Sequence, residues 1–221
     1  GEITMRLNPS GFKTLTQTDS LDFSFTGTGL NILAGLAQSG FQTSMLTALP
    51  DNNLGKAAAA NIRKLNVSDH WIHYEGNHLG IYILELGYGG RPSKVTYLAR
   101  AHSSCNEWKM TEDMMEQALE GVDMLHICGI TLSTSELSRQ KALTLAKKAY
   151  EKEIAICFDF NFRSSLNDEE GMASLVATYN IILPWVTIAF GSLRDLKELL
   201  KIAVESEEAI VESFMLQYNI S

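Results

Sequence analysis

Polar and apolar residues alternate through the first quarter of the chain, in "EITMRL" (2–7) and "SLDFSF" (20–25), on either side of a Pro9–Ser10–Gly11 turn. A period of two predicts half-buried β-strands. A second such pair, "LGIYILEL" (79–86) and "SKVTYLAR" (93–100), is joined by the turn-prone "GYGGRP" (87–92). Elsewhere the period lengthens. "NILAGLAQSG" (31–40) predicts a helix opened by Asn31 and ended by Gly40, a residue suited to a left-handed C-cap. "FQTSMLTAL" (41–49) predicts a strand, and the alanine-rich "NLGKAAAANIRKLNV" (53–67) a helix of strong propensity.

The second half alternates short, continuously apolar strands with helices: "VDMLHICGI" (122–130), an amphipathic helix over 136–150, "EIAICFDFN" (153–161), a helix near 168–179, "VTIAF" (186–190) and a helix from about 193. Such strands are buried on both faces, so the expected fold is α/β, with a mostly parallel central sheet flanked by helices. The whole of 1–221 is read as one domain, and the strands within about 3–26 and 79–100 form a small β-sheet lid. In parallel sheets ligands bind beyond the carboxyl ends of the strands, which is where candidate residues are sought.

Composition then narrows the function classes. The formal charge is −8, from 26 acidic and 18 basic residues, which speaks against a nucleic-acid partner. Apolar runs such as "IILPWVTIAF" (181–190) are too short to span a bilayer, so no membrane partner is expected. The strand-like opening implies no signal peptide, and three cysteines without close spacing imply a reducing cytoplasm. Cys128 and Cys157 read as small buried hydrophobes, and His126 as a satisfied core histidine. His70-x-x-His73 lacks companions at zinc spacing, so no metal site is predicted.

Three strand ends carry candidate chemistry. Gly27-x-Gly29 with Asn31 offers close backbone approach and one carboxamide, or simply a tight strand-to-helix turn; the third glycine of a dinucleotide fingerprint is absent. In "FDFNFR" (158–163), Asp159, Asn161 and Arg163 alternate with aromatics, so strand geometry would aim all three one way, towards a polyhydroxylated ligand with a negative group. The alternative is an Arg163 that caps a helix or pairs with Glu169 or Glu170. Tyr82 and Tyr97, on neighbouring extra strands, either cover a small ligand or pack across strands. The acidic clusters at 168–170 and 205–208 read as helix N-termini. No Ser-His-Asp order, nucleophile elbow or P-loop lysine motif is assignable.

In this order the segments resemble the ribokinase-like (PfkB) carbohydrate kinases, especially their 2-keto-3-deoxygluconate kinase branch. "GEITMRL…FTGTGLN" (1–31) is similar to the family's opening strand and Gly-Gly-x-x-x-Asn sugar signature, with Thr26 at the first glycine. "GIYILELG…RPSKVTYLARAHSS", "LHICGITLS" and "FDFNFRSSL" resemble the lid region and the next two strand ends. The resemblance implies transfer of the ATP γ-phosphoryl group to the primary (C6) hydroxyl of 2-keto-3-deoxygluconate, with Mg²⁺. It implies Gly27 and Asn31 against the sugar hydroxyls, and Tyr82, Tyr97 and Arg100 closing from the lid. Arg163 would hold the carboxylate, with Asp159 and Asn161 organising that strand end. Tyr97 and Arg100 are three apart where the family's pair is two apart, so one of them is expected to keep its role. Ser192-x-x-Asp195 stands where an Asn-x-x-Glu organises phosphate and magnesium.

The family's Gly-Ala-Gly-Asp segment, whose Asp is the base, has no counterpart in this sequence. The expectation is therefore a sugar-binding part without a catalytic residue, ATP and Mg²⁺ belonging to a longer protein and neither bound tightly here. A homodimer through the lid is implied. Kinases of fructose or ribose, and a non-catalytic sugar-acid-binding relative, remain open alternatives.

Overall fold

The computed structural model describes residues 1–163, 167–202 and 206–220. Its internal contacts group into two compact units, Gly1–Trp108 and Lys109–Ser221.

The first unit runs β1 (Thr4–Pro9), β2 (Leu21–Thr26), α1 (Thr28–Gln38), β3 (Thr47–Leu49), α2 (Asn53–Lys64), β4 (Ile72–Tyr74), β5 (Gly80–Glu85), β6 (Lys94–Leu98) and α3 (Ser104–Glu107). The alternating segments form one four-stranded sheet in the order β2-β1-β5-β6, antiparallel at both edges and parallel at its centre. This sheet gathers the strands expected to form the lid. Its apolar residues Met5 and Phe25 pack on a core of Ile3, Leu30, Leu49, Ile62 and Leu79. β3 and β4 make a parallel pair. Helix α2 starts where Asn52 accepts from the Leu54 and Gly55 amides, and it ends on Arg63 and Lys64, cations that suit the negative end of its dipole. Gly40 follows α1 at φ +91°, as predicted.

The second unit runs α4 (Glu112–Ala118), β7 (Met124–Cys128), α5 (Thr131–Thr134), α6 (Glu136–Glu151), β8 (Ala155–Asp159), α7 (Glu169–Ile182), β9 (Ile188–Phe190), a π-helical turn (Asp195–Leu199) and α8 (Glu207–Tyr218). β7, β8 and β9 form a parallel sheet. Phe158, Phe160, Tyr179 and Phe214 pack edge-on or tilted as its aromatic core. Asp168 and Ser206 cap α7 and α8, with Glu169, Glu170, Glu207 and Glu208 in the first turns, so those acids are helix starts; Glu205 lies outside the described residues.

Several elements differ from expectation, and α3, α4 and α5 lie where none was predicted. The 41–49 strand shortens to Thr47–Leu49 with an isolated bridge from Ser44 to Ser68, and β4 pairs with it unannounced. The helix from 193 is cut short, with Lys201 at φ +57° just beyond it, a left-handed residue that an α-helix cannot continue through. The parallel pairings divide among three sheets, β1 with β5 and β3 with β4 in the first unit and β7-β8-β9 in the second. Among the described residues no helix is long and apolar enough to cross a membrane.

Candidate functional site

In the first unit the candidate site is one face of the lid sheet. Ser24, Arg6, Tyr82 and Tyr97 are lateral partners on four successive strands. Lateral partners project to the same side, so these four form a row. The Tyr82 and Tyr97 rings lie 6.1 Å apart at 53°. Arg100 places its guanidinium carbon 5.5 Å from the Tyr97 ring centre, a cation–π contact. Ala99, at φ +44°, turns the chain so that residues three apart meet there. Tyr97 and Arg100 are thus neighbours on the same sheet despite their spacing of three.

Arg100 is held from behind. Its Nε donates to Glu2 Oε2 at 2.5 Å, and the two side chains are 12% and 4% exposed. Glu2 Oε1 also accepts from Ser103 Oγ at 2.9 Å and from Asn106 Nδ2 at 3.4 Å. Burial pushes the Glu2 carboxyl above the ordinary carboxylate range, against the pull of Arg100 and the Ser103 hydrogen bond. Two glycines make this packing possible. A Cβ on Gly80 would sit 2.6 Å from Glu2 Oε1, and one on Gly27 would sit 2.5 Å from the Glu2 carbonyl oxygen. Gly27 is the N-cap of α1, and its carbonyl accepts the Asn31 amide at 2.9 Å. The helix therefore opens at Thr28, not at Asn31, because that bond is its first full turn. Asn31 lies one turn in, exposed, and among the described residues nothing hydrogen bonds its carboxamide.

In the second unit a pocket of about 400 Å³ is lined by Asp159, Asn161, Arg163, Ser192, Arg194 and Asp195 among others. The two motifs picked from separate stretches of sequence thus share one cavity. Strand alternation does not bring them there. β8 ends at Asp159, whose Oδ1 accepts the Asn161 amide at 3.1 Å, and Asn161 takes φ +38°. Asn161 Nδ2 donates to Cys128 Sγ at 3.3 Å. Arg163 is exposed, its Nη1 donating to the Phe162 carbonyl at 2.9 Å, and among the described residues it pairs with neither Glu169 nor Glu170.

Ser192 and Asp195 form a capping box: Asp195 Oδ2 accepts from the Ser192 amide at 2.7 Å and its hydroxyl at 2.9 Å. Burial pushes the Asp159 carboxyl up, the Asn161 amide and Arg163 oppose this, and Asp195 adds to it. His126 also departs from expectation. Its Nδ1 contacts Cys157 Sγ at 3.3 Å, but Nε2 is buried without a partner among the described residues, and burial lowers its pKa to about 4.

The family model described as "pfkB family carbohydrate kinase" matches residues 1–216. The chain belongs to the pfkB family of carbohydrate kinases. Among solved structures this pfkB chain resembles a candidate 2-keto-3-deoxygluconate kinase from Enterococcus faecalis, at 42% identity and a TM-score of 0.95, over 100% of this chain and 67% of that one. It resembles a 2-dehydro-3-deoxygluconokinase from Thermotoga maritima at 34% identity and a TM-score of 0.90, over 100% of this chain and 67% of that one. A 2-dehydro-3-deoxygalactonokinase of Haloferax volcanii is 25% identical over 91% of this chain; the chain spans 62% of that relative's length.

Within the pfkB chain, sequence reasoning missed Glu2, Ser103, Asn106, Arg6 and Arg194. Nothing local links Glu2 with an arginine 98 positions away. Arg6 joins Tyr82 only once strand register is known. Arg194 lies inside the Ser192-x-x-Asp195 stretch, and it pairs with Glu198 at 2.8 Å. Among the described residues no three His, Cys, Asp or Glu side chains are grouped to hold a metal ion.

Proposed function

We propose that this chain is the sugar-acid-binding part of a kinase that transfers the ATP γ-phosphoryl group to the C6 hydroxyl of 2-keto-3-deoxygluconate. The observation that carries the reading is the lid face, where Tyr82, Tyr97 and a Glu2-anchored Arg100 present aromatic surface and fixed donors side by side. Sugars bind by such pairing of ring faces with hydrogen-bond donors. The identities of 42% and 34% with proteins named for this substrate support the same ligand class.

In this reading Gly27 keeps backbone close to the ligand, Asn31 contacts hydroxyls, and Tyr82, Tyr97 and Arg100 cover the sugar. Arg163 at its pocket takes the carboxylate, with Asp159 and Asn161 shaping the strand end. Asp159 and Asp195 are two carboxylates in one cavity, and the capping box uses Asp195 Oδ2. That set suits Mg²⁺, which keeps most of its water and binds mainly through phosphates. Bound there, Mg²⁺ would neutralise phosphoryl charge. A second copy of the chain is the proposed partner, through the opposite, apolar face of the lid, where Phe23 is 62% exposed beside Leu7 and Leu21.

Calorimetric titration with 2-keto-3-deoxygluconate, fructose and ribose tests the assignment. The acid is expected to bind most tightly; tighter binding of either neutral sugar would remove it. A second reading, 2-dehydro-3-deoxygalactonate as ligand, follows from the Haloferax relative's name. The two acids differ in configuration at one carbon, so both belong in the same titration.

A further inference from the structure

The polar face of the lid sheet carries two arginines in different electrical situations. Arg100 is answered by a buried carboxylate, Glu2, at 2.5 Å. Arg6 is not. It stands between Ser24 and Tyr82 in the lateral row, partly buried, and its Nε is shielded from solvent with no hydrogen-bond partner among the described residues. Among the described residues no carboxylate forms an ion pair with it, in a chain where acids outnumber bases by 26 to 18. A guanidinium that is partly desolvated and uncompensated is costly, and an oxyanion that accepts from it recovers that cost. Its planar fork matches a carboxylate through two parallel bonds. Tyr82, its lateral partner, and Tyr97 beyond it supply the ring surface against which the rest of a small ligand packs.

We infer that Arg6 is a carboxylate contact for the ligand that lies on this face. The inference rests on the sugar-acid reading above and adds a residue that decides acid against neutral sugar. Arg100, whose charge Glu2 offsets, then serves as a fixed donor.

The test is calorimetry of the folded chain with 2-keto-3-deoxygluconate and with fructose, for wild type, Arg6→Gln, Arg6→Lys and Arg163→Gln, with thermal melts confirming folding. Removing a charge-assisted hydrogen bond should weaken acid binding of R6Q about tenfold or more. Fructose binding should stay within about twofold, and R6K should recover part of the acid affinity. The inference is overturned if R6Q keeps the wild-type ratio of acid to fructose affinity, or if it weakens both ligands equally, as a packing role would. If R163Q alone loses the acid preference, the sugar-acid reading stands and the Arg6 inference does not. If wild type prefers fructose, or binds neither ligand, both fall. Should R6Q not fold, the Arg6 Nε–H resonance of the wild-type chain provides the readout. It is expected to shift with the acid and not with fructose; no shift with the acid overturns the inference.

Discussion

Glu2 shows how much one side chain organises in the first unit. Its carboxylate receives Arg100, Ser103 and Asn106, and its backbone carbonyl lies against Gly27. A methyl group on Gly80 would meet that carboxylate at 2.6 Å, so Gly80→Ala is expected to cost about 1–3 kcal/mol by overpacking. Gly29 is the contrast: it is helical, and a Cβ there meets nothing within 4 Å. Gly29→Ala is expected to gain up to about 1 kcal/mol from helix propensity. Urea midpoints of the two variants against wild type check the opposite signs. His126 provides a pH test. Its folded-state pKa of about 4 lies below the ordinary value of 6.5, so between these the unfolded chain takes up the proton more readily. The contribution is fully present above about pH 6.5 and is lost as pH falls towards 4. His126→Asn is expected to flatten the fall in melting temperature across that window, relative to wild type. Equal slopes for the two proteins would assign the pH dependence to other groups.

Elements were legible wherever local chemistry alone sets them. Asp168 accepts the Gly171 amide at 2.8 Å and caps α7, as the acidic run before an apolar stretch suggested. Asp168→Ala is expected to cost about 1 kcal/mol, and Glu169→Ala only a few tenths, because one removes a cap and the other an exposed dipole contact. Chemical denaturation of both variants measures the difference. The lid strands were equally readable, since their alternation is strict. Asp159, Asn161 and Arg163 line one cavity by a route other than alternation, because a strand's period holds only while its backbone stays extended, and Asn161 is left-handed. β4 was invisible for a related reason: three residues are too few to show a period.

At the scale of the whole molecule, the lid sheet has two unlike faces in one register. Glu2, Arg6, Tyr82, Tyr97 and Arg100 gather on one, and Leu7, Leu21 and Phe23 on the other. If the apolar face seats a second copy, wild type sediments as a dimer and Phe23→Asp as a monomer. A monomeric wild type at working concentration would dismiss the homodimer. The sequence by itself determined the α/β class, the strands of the four-stranded sheet, several helix ends and the strand ends worth searching, because period, propensity and caps act over a few residues. Only the tertiary structure decided that Asp159 and Asp195 share a cavity, that Arg100 is answered by Glu2, and that Arg6 stands beside Tyr82 with no carboxylate paired to it among the described residues. Those facts depend on strand register and on contacts between residues tens of positions apart, which no local pattern encodes.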